Sequence, residues 1–167
     1  MLKAEFWIDR LRLEPHPEGG WFRETYRSEG VCHFGAESAF GSPRSFATSI
    51  HYLLERGDRS RLHRILSDEL WYFHAGNPLE VHIFPESGAP SSFTLGQSPD
   101  DGEVLSAWVP AGCWFGALLA DRADEEAYAL VSCVVAPGFD FRDFSFADRE
   151  ALAAKFPDNR EMIETLT

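Results

Sequence analysis

Residues 57–76 run Gly57-Asp58-Arg59-Ser60-Arg61-Leu62-His63-Arg64-Ile65-Leu66-Ser67-Asp68-Glu69-Leu70-Trp71-Tyr72-Phe73-His74-Ala75-Gly76, and Asn77-Pro78 follow. A glycine opens the stretch and a Gly-Asn-Pro turn closes it. Between them, Leu62 to Leu66 and Glu69 to Phe73 have the length and residue types of two short strands. Side chains two apart in a strand share a face. With His63 turned inward, Arg61 and Ile65 share its face. Across the turn Glu69, Trp71 and Phe73 form a second inward set, and Tyr72 and His74 point away.

The same rhythm continues on both sides. Ser49 to Leu54, Leu79 to Phe84, Ser92 to Leu95, Val104 to Val109, Cys113 to Leu119 and Tyr128 to Val135 are strand-like runs. They stop at Gly57, Pro85, the Pro99-Asp100-Asp101-Gly102 turn, Pro110 and Pro137-Gly138. Turn signals roughly every ten residues, with no helix-period segment between the strands, predict an all-β sandwich or barrel. They speak against a parallel α/β sheet. Phe6, Trp7, Leu11 and Leu13 predict a short amphipathic helix over 3–13, ended by Pro15 and Pro17. Trp21, Phe22 and Tyr26 among charged residues predict a strand, and the Gly- and Ser-rich residues 31–45 read as a loop. Beyond Phe139, Phe141, Phe144 and Phe146, residues 147–156 predict a helix with Leu152 and Phe156 on one side, and 159–166 a further turn or two. No repeat, low-complexity tract or linker divides the 167 residues, so a single domain over 1–167 is expected.

Composition narrows the function. A formal net charge of −12 speaks against nonspecific binding to nucleic acid or to an anionic membrane, since phosphate contacts need clustered Lys and Arg. No apolar run approaches the roughly 20 residues of a membrane span. Glu5, Asp9 and Arg10 interrupt any signal-peptide core, so a cytoplasmic location is expected. Cys32, Cys113 and Cys133 are odd in number and widely spaced, which suits neither a disulfide framework nor a zinc knuckle. Arg56, Arg59, Arg61 and Arg64 form a basic cluster that either receives a carboxylate or phosphate or pairs with Asp58 and Asp68.

Gly57, His63, Glu69 and Gly76 have the spacing of the first cupin motif, with Ile65 in place of its second His. Pro110-Ala111-Gly112 matches the Pro-x-Gly core of the second motif, with Phe115 at its His. Three long stretches extend the resemblance to an uncharacterised family, the cupin type 5 family. They are Pro15-His16-Pro17-Glu18-Gly19-Gly20, Arg23-Glu24-Thr25-Tyr26-Arg27-Ser28 and Val135-Ala136-Pro137-Gly138-Phe139. This resemblance implies a double-stranded β-helix (jelly-roll) barrel with short N- and C-terminal helices. It also implies a homodimer, with the N-terminal aromatic segment exchanged between copies. The implied fold is similar to that of sugar-nucleotide 3,5-epimerases and of seed-storage and germin-type cupins. Metal-binding cupins use four ligands, of which this chain keeps two, so no metal and no other cofactor is expected. A rebuilt ligand set would have to draw on His51, His74 or His82.

The expected partner is therefore a small polar or anionic ligand inside the barrel. His63 is the candidate base, Glu69 its partner, and Tyr26 the candidate acid, by analogy with epimerases of the resembling fold. Arg23, Arg59 and Arg61 are candidate grips for an anionic group, such as the phosphate of a phosphorylated or nucleotide-linked sugar. Trp71, Phe73, Trp114 and Phe115 are the candidate apolar wall. Each has a plainer role: His63 as a hydrogen-bonded core imidazole, Glu69 as the partner of Arg23 or Arg61, the aromatics as core, and His16 and Glu18 as servants of the Gly19-Gly20 turn. Three functions stay open: a metal-independent isomerase or epimerase, a noncatalytic metabolite-binding or sensing module, and a metal-dependent, dioxygenase-like cupin.

Overall fold

Turn residues cut the chain into strands, and apolar alternation decides which face of each is buried. A computed structural model describes residues 2–120 and 126–167. The strands are β1 (Glu14–Pro15), β2 (Trp21–Arg27), β3 (Val31–Cys32), β4 (Arg44–Ser45), β5 (Thr48–Glu55), β6 (Ser60–Arg64) and β7 (Asp68–Gly76). Then come β8 (Leu79–Phe84), β9 (Ser91–Leu95), β10 (Ser106–Val109), β11 (Trp114–Leu119), β12 (Tyr128–Ala136) and β13 (Ser145–Phe146). Helix α1 (Ala4–Leu11) precedes them, and α2 (Arg149–Lys155) and α3 (Arg160–Leu166) follow.

A six-stranded sheet in the order β1-β2-β5-β12-β7-β10 faces a five-stranded sheet in the order β13-β6-β11-β8-β9. Neighbouring strands in both sheets are antiparallel. The inward sets meet between the sheets: Tyr52, Leu54, Trp71 and Phe73 from one side, Val81, Ile83, Phe115 and Ala117 from the other. This is a jelly-roll barrel. Leu152, Ala153, Phe156, Ile163 and Leu166 of the C-terminal helices cover Leu62, Phe84 and Leu118 on the outer face of the smaller sheet. Helix α1 lies over Leu53, Tyr128 and Leu130 at one end of the larger sheet, where Trp7 Nε1 donates to the Tyr128 hydroxyl at 3.0 Å. Among the described residues, no helix is long and apolar enough to cross a membrane.

Segment 31–45, expected to be a loop, contains the β3–β4 pair and one buried cation. The Arg44 guanidinium donates to both carboxylate oxygens of Asp143 at 2.6 Å and to the carbonyls of Phe40, Ser42 and Pro43. Each donor of that buried group is answered by an acceptor, which fixes the segment against residues 140–143.

Plain alternation fails at two places that matter. In β2, Glu24 lies opposite Ile50 but Tyr26 lies opposite Ser49, so the register slips at Thr25. In β6, His63 lies opposite Phe115 and Ser60 opposite Ala117, so three steps on one strand match two on the other. Each slip sends the next side chain to the opposite face from the one parity assigns. Packing of α3 is the seal on the smaller sheet, so Ile163→Ala, at a fully buried position, should cost about 2–5 kcal/mol. Urea denaturation of the variant beside the parent measures it.

Candidate functional site

The mouth of the barrel opens into a cavity of about 330 Å³, at the small end of the roughly 300–1,000 Å³ typical of ligand pockets. Its floor carries His16, Glu18, Tyr52, His63, Glu69 and Trp71, and its rim Glu24, Arg27, Phe139, Asp140 and Phe141. Strands β5, β6 and β7 supply Tyr52, His63, Glu69 and Trp71. The β1–β2 turn supplies His16 and Glu18. That turn lies flush on the barrel because Gly19 and Gly20 have φ of +114° and +69° and leave no room for a Cβ. A side chain at Gly19 would strike the Arg59 carbonyl, and one at Gly20 the Leu53 carbonyl. The Tyr52 hydroxyl donates to the Gly19 carbonyl at 2.8 Å, and the Arg61 N–H to the Glu18 carbonyl at 3.1 Å. Glu18 is thereby pressed into the hollow.

Two backbone contacts fix the imidazoles. His63 Nδ1 lies 2.7 Å from the Arg61 carbonyl oxygen, which only accepts, so Nδ1 carries the proton and Nε2 keeps its lone pair. His16 Nδ1 accepts the Glu18 backbone N–H at 3.1 Å, so in the neutral ring Nε2 carries the proton. Ser60 Oγ donates to Glu18 Oε2 at 3.1 Å, and that oxygen lies 3.4 Å from His63 Nδ1.

Burial dominates the electrostatics. It pushes His63 down to about 4, against which the Arg61 carbonyl contact works. It pushes Glu69 up to about 8, helped by the nearby Glu18 charge and opposed by the Cys133 thiol contact. Glu18 rises to about 7, chiefly by desolvation, with His16, Ser60 and Arg61 opposing. His16 is lowered by burial, and the Tyr52 phenol is raised well above its usual range by burial and then by Glu18. At neutral pH the hollow thus holds neutral imidazoles and carboxyl groups that resist ionisation, so the His63–Glu18 contact is no full ion pair.

The structure brings His63, Glu69 and Trp71 to the cavity and leaves other expected residues away from it. Tyr26 is turned out by the slip at Thr25 and is 56% exposed; Arg27 takes the inward place instead. Arg23 lies opposite His51 on the outer face of the larger sheet and donates to the Arg12 carbonyl. Arg59 is exposed in the β5–β6 turn. Arg61, which parity placed inward, is carried out by the slip in β6 and lies 4.2 Å over the Phe146 ring. Glu69 therefore has neither Arg23 nor Arg61 as partner; its side-chain contact is Cys133. Trp114 faces the C-terminal helices with Arg64 over its ring, and Phe73 is core. Phe115 is core too, its ring 4.1 Å from that of His63. Strand parity on β5, which turns Thr48, Ile50 and Tyr52 the same way, was the signal for Tyr52. Glu18 left only the Pro15–Gly20 turn as a trace.

The family model described as "Cupin superfamily (DUF985)" matches residues 5–147. The chain is a cupin of that family. An uncharacterized protein of Saccharomyces cerevisiae, YML079W, is 31% identical over 150 residues, covering 86% of this chain and 74% of the yeast one. A hypothetical protein from Leishmania major superposes with a TM-score of 0.88 at 36% identity, over 99% of both chains. Protein SO0799 from Shewanella oneidensis superposes at 0.85 and 36%, over 100% of this chain and 98% of its own. Oxalate decarboxylase from Bacillus subtilis shares the fold at a TM-score of 0.54 and 20% identity, over 92% of this cupin and 36% of the decarboxylase.

A cupin metal centre does not fit these residues. Among the described residues, no three His, Cys, Asp or Glu side chains are arranged to hold a metal ion. Ile65 and Phe115 are packed core groups where imidazoles would be needed. His51 and His74 share the Ser132 hydroxyl on the outer face, and His82 bonds Glu80.

The carboxyl groups give the cupin a distinct pH profile. Between pH 6.5 and 8 the unfolded chain has already released protons that folded Glu69 and Glu18 retain, so stability falls as pH rises. Between pH 4 and 6.5 the unfolded chain takes up a proton that buried His63 refuses, which opposes the carboxyl contribution over that range. Unfolding free energy from urea titrations should fall between pH 6.5 and 8, where the carboxyl contribution is no longer opposed by His63, and Glu69→Gln should flatten that limb.

Proposed function

We propose that this cupin binds a small molecule in the barrel cavity and moves a proton next to a carbonyl group, as a metal-independent isomerase or epimerase with His63 as base. The observation that carries the reading is the His63 tautomer: Nδ1–H is tied to the Arg61 carbonyl, leaving a bare Nε2 on the ring that lines the hollow. In the forward step Nε2 takes a proton from the carbon beside the carbonyl, and the C–H pair becomes a C=C bond. The carbonyl π pair moves to oxygen, which takes the proton of the Glu69 carboxylic acid. Return of the imidazolium proton to the former carbonyl carbon, on the same face, with the hydroxyl proton of the first carbon passing to the Glu69 carboxylate as that carbon becomes the new carbonyl, completes the isomerisation. Glu18, pushed up to about 7, is part carboxylate at neutral pH and lies where it would stabilise the transient imidazolium. Tyr26 has no part in this scheme, and Glu69 takes the acid role.

A pKa near 4 makes His63 a free but weak base, which favours a second reading, binding without turnover. Solvent-deuterium exchange into a panel of ketoses, free and phosphorylated, separates the two. Exchange should fall by at least about a hundredfold in His63→Ala, the usual weight of a general base. Equal exchange in the variant, or none with the parent protein, removes the catalytic reading.

The reading includes a homodimer. The outer face of the larger sheet exposes Tyr26, Tyr72 and Trp108, with Trp108 62% exposed, and a second copy would cover these aromatics. Sedimentation at micromolar concentration should give a dimer, and Trp108→Glu a monomer.

A further inference from the structure

The cavity floor is wired with opposite polarity at its two imidazoles. His63 presents an acceptor, because the Arg61 carbonyl holds its proton on Nδ1. His16 presents a donor, because the Glu18 N–H occupies its Nδ1. The charge around the hollow is one-sided. Arg27 is the cation among the lining residues, and it is spent: Nε and an Nη donate to the Glu24 carboxylate at 3.1 and 2.6 Å, and the other Nη to the Phe139 carbonyl at 3.2 Å. Glu18, Glu69 and Asp140 face the same space. A phosphate would enter beside carboxyl groups with no free guanidinium to receive it, losing its hydration for nothing.

We propose that the occupant is an uncharged molecule that offers an oxygen acceptor to His16 Nε2–H and, on an adjacent atom, a hydrogen to His63 Nε2. A ring-sized hydroxyketone meets these demands; a sugar phosphate or nucleotide sugar does not. The proposal rests on the proton-transfer reading for the role of His63, and His16 becomes a hydrogen-bond donor to the oxygen that Glu69 protonates. Phe22, Phe139 and Phe141 supply the apolar walls against which an uncharged carbon skeleton packs.

Nitrogen-15 spectra of the histidine rings in the intact protein at pH 7.5 test the wiring without any ligand. The two rings should be neutral and in opposite tautomers. The same tautomer at both, or a charged ring at either, overturns the proposal. Titration with dihydroxyacetone and with dihydroxyacetone phosphate, followed on the same resonances, tests the class. The uncharged ketone should shift both rings and bind at least tenfold more tightly than its phosphate. Equal or tighter binding of the phosphate, or no binding of the ketone up to tens of millimolar, overturns it. Failure of this inference and of the enzyme reading are separable. Ketone binding without exchange leaves a binding module, and exchange that prefers phosphates leaves an isomerase of another substrate class.

Discussion

Desolvation at the bottom of the barrel is the constraint to which the rest of the site answers. His63, Glu18 and Glu69 are all buried and share one hollow. Charging any of them costs far more there than in water, so the barrel holds an imidazole without its extra proton beside carboxyl groups that ionise only well above their usual range. The aromatic lining and the paucity of free cations are consistent with that economy. So is the use of backbone groups, which carry no net charge, to orient both imidazoles.

The overall architecture was legible because turns and alternation are local properties. Pro85, Pro110 and Pro137-Gly138 end strands where no backbone donor or regular φ is available to continue them, and helices at 3–13 and 147–166 appear at a 3.6-residue period. The jelly-roll order of the sheets followed from the resemblance carried by Gly57, His63, Glu69 and Gly76. Segment 31–45 was less legible, because its order comes from Arg44 meeting Asp143 across 99 residues of chain, a pairing that no local pattern announces.

The site was half legible. His63, Glu69 and Trp71 were readable from spacing and parity, since no irregularity separates them from the turn that sets their phase. Arg61 was misplaced by the register slip in β6, which a single sequence does not mark, and Tyr26, chosen by analogy with the resembling epimerases, is turned out by the slip in β2. Glu18 and His16 were hidden differently. They sit on a turn, where there is no period to exploit, and their placement depends on a glycine pair touching the Arg59 and Leu53 carbonyls.

The slip in β6 also shows that strand length, and not only residue choice, governs what the barrel can hold. The supernumerary residue diverts a guanidinium onto the Phe146 ring outside, and the cation left at the hollow is Arg27, which is tied to Glu24. A chain that gained or lost a single position between 60 and 63 would turn one more guanidinium toward the hollow in one step. Insertions and deletions at that hairpin are therefore a short route by which this scaffold can change ligand polarity while its core survives intact.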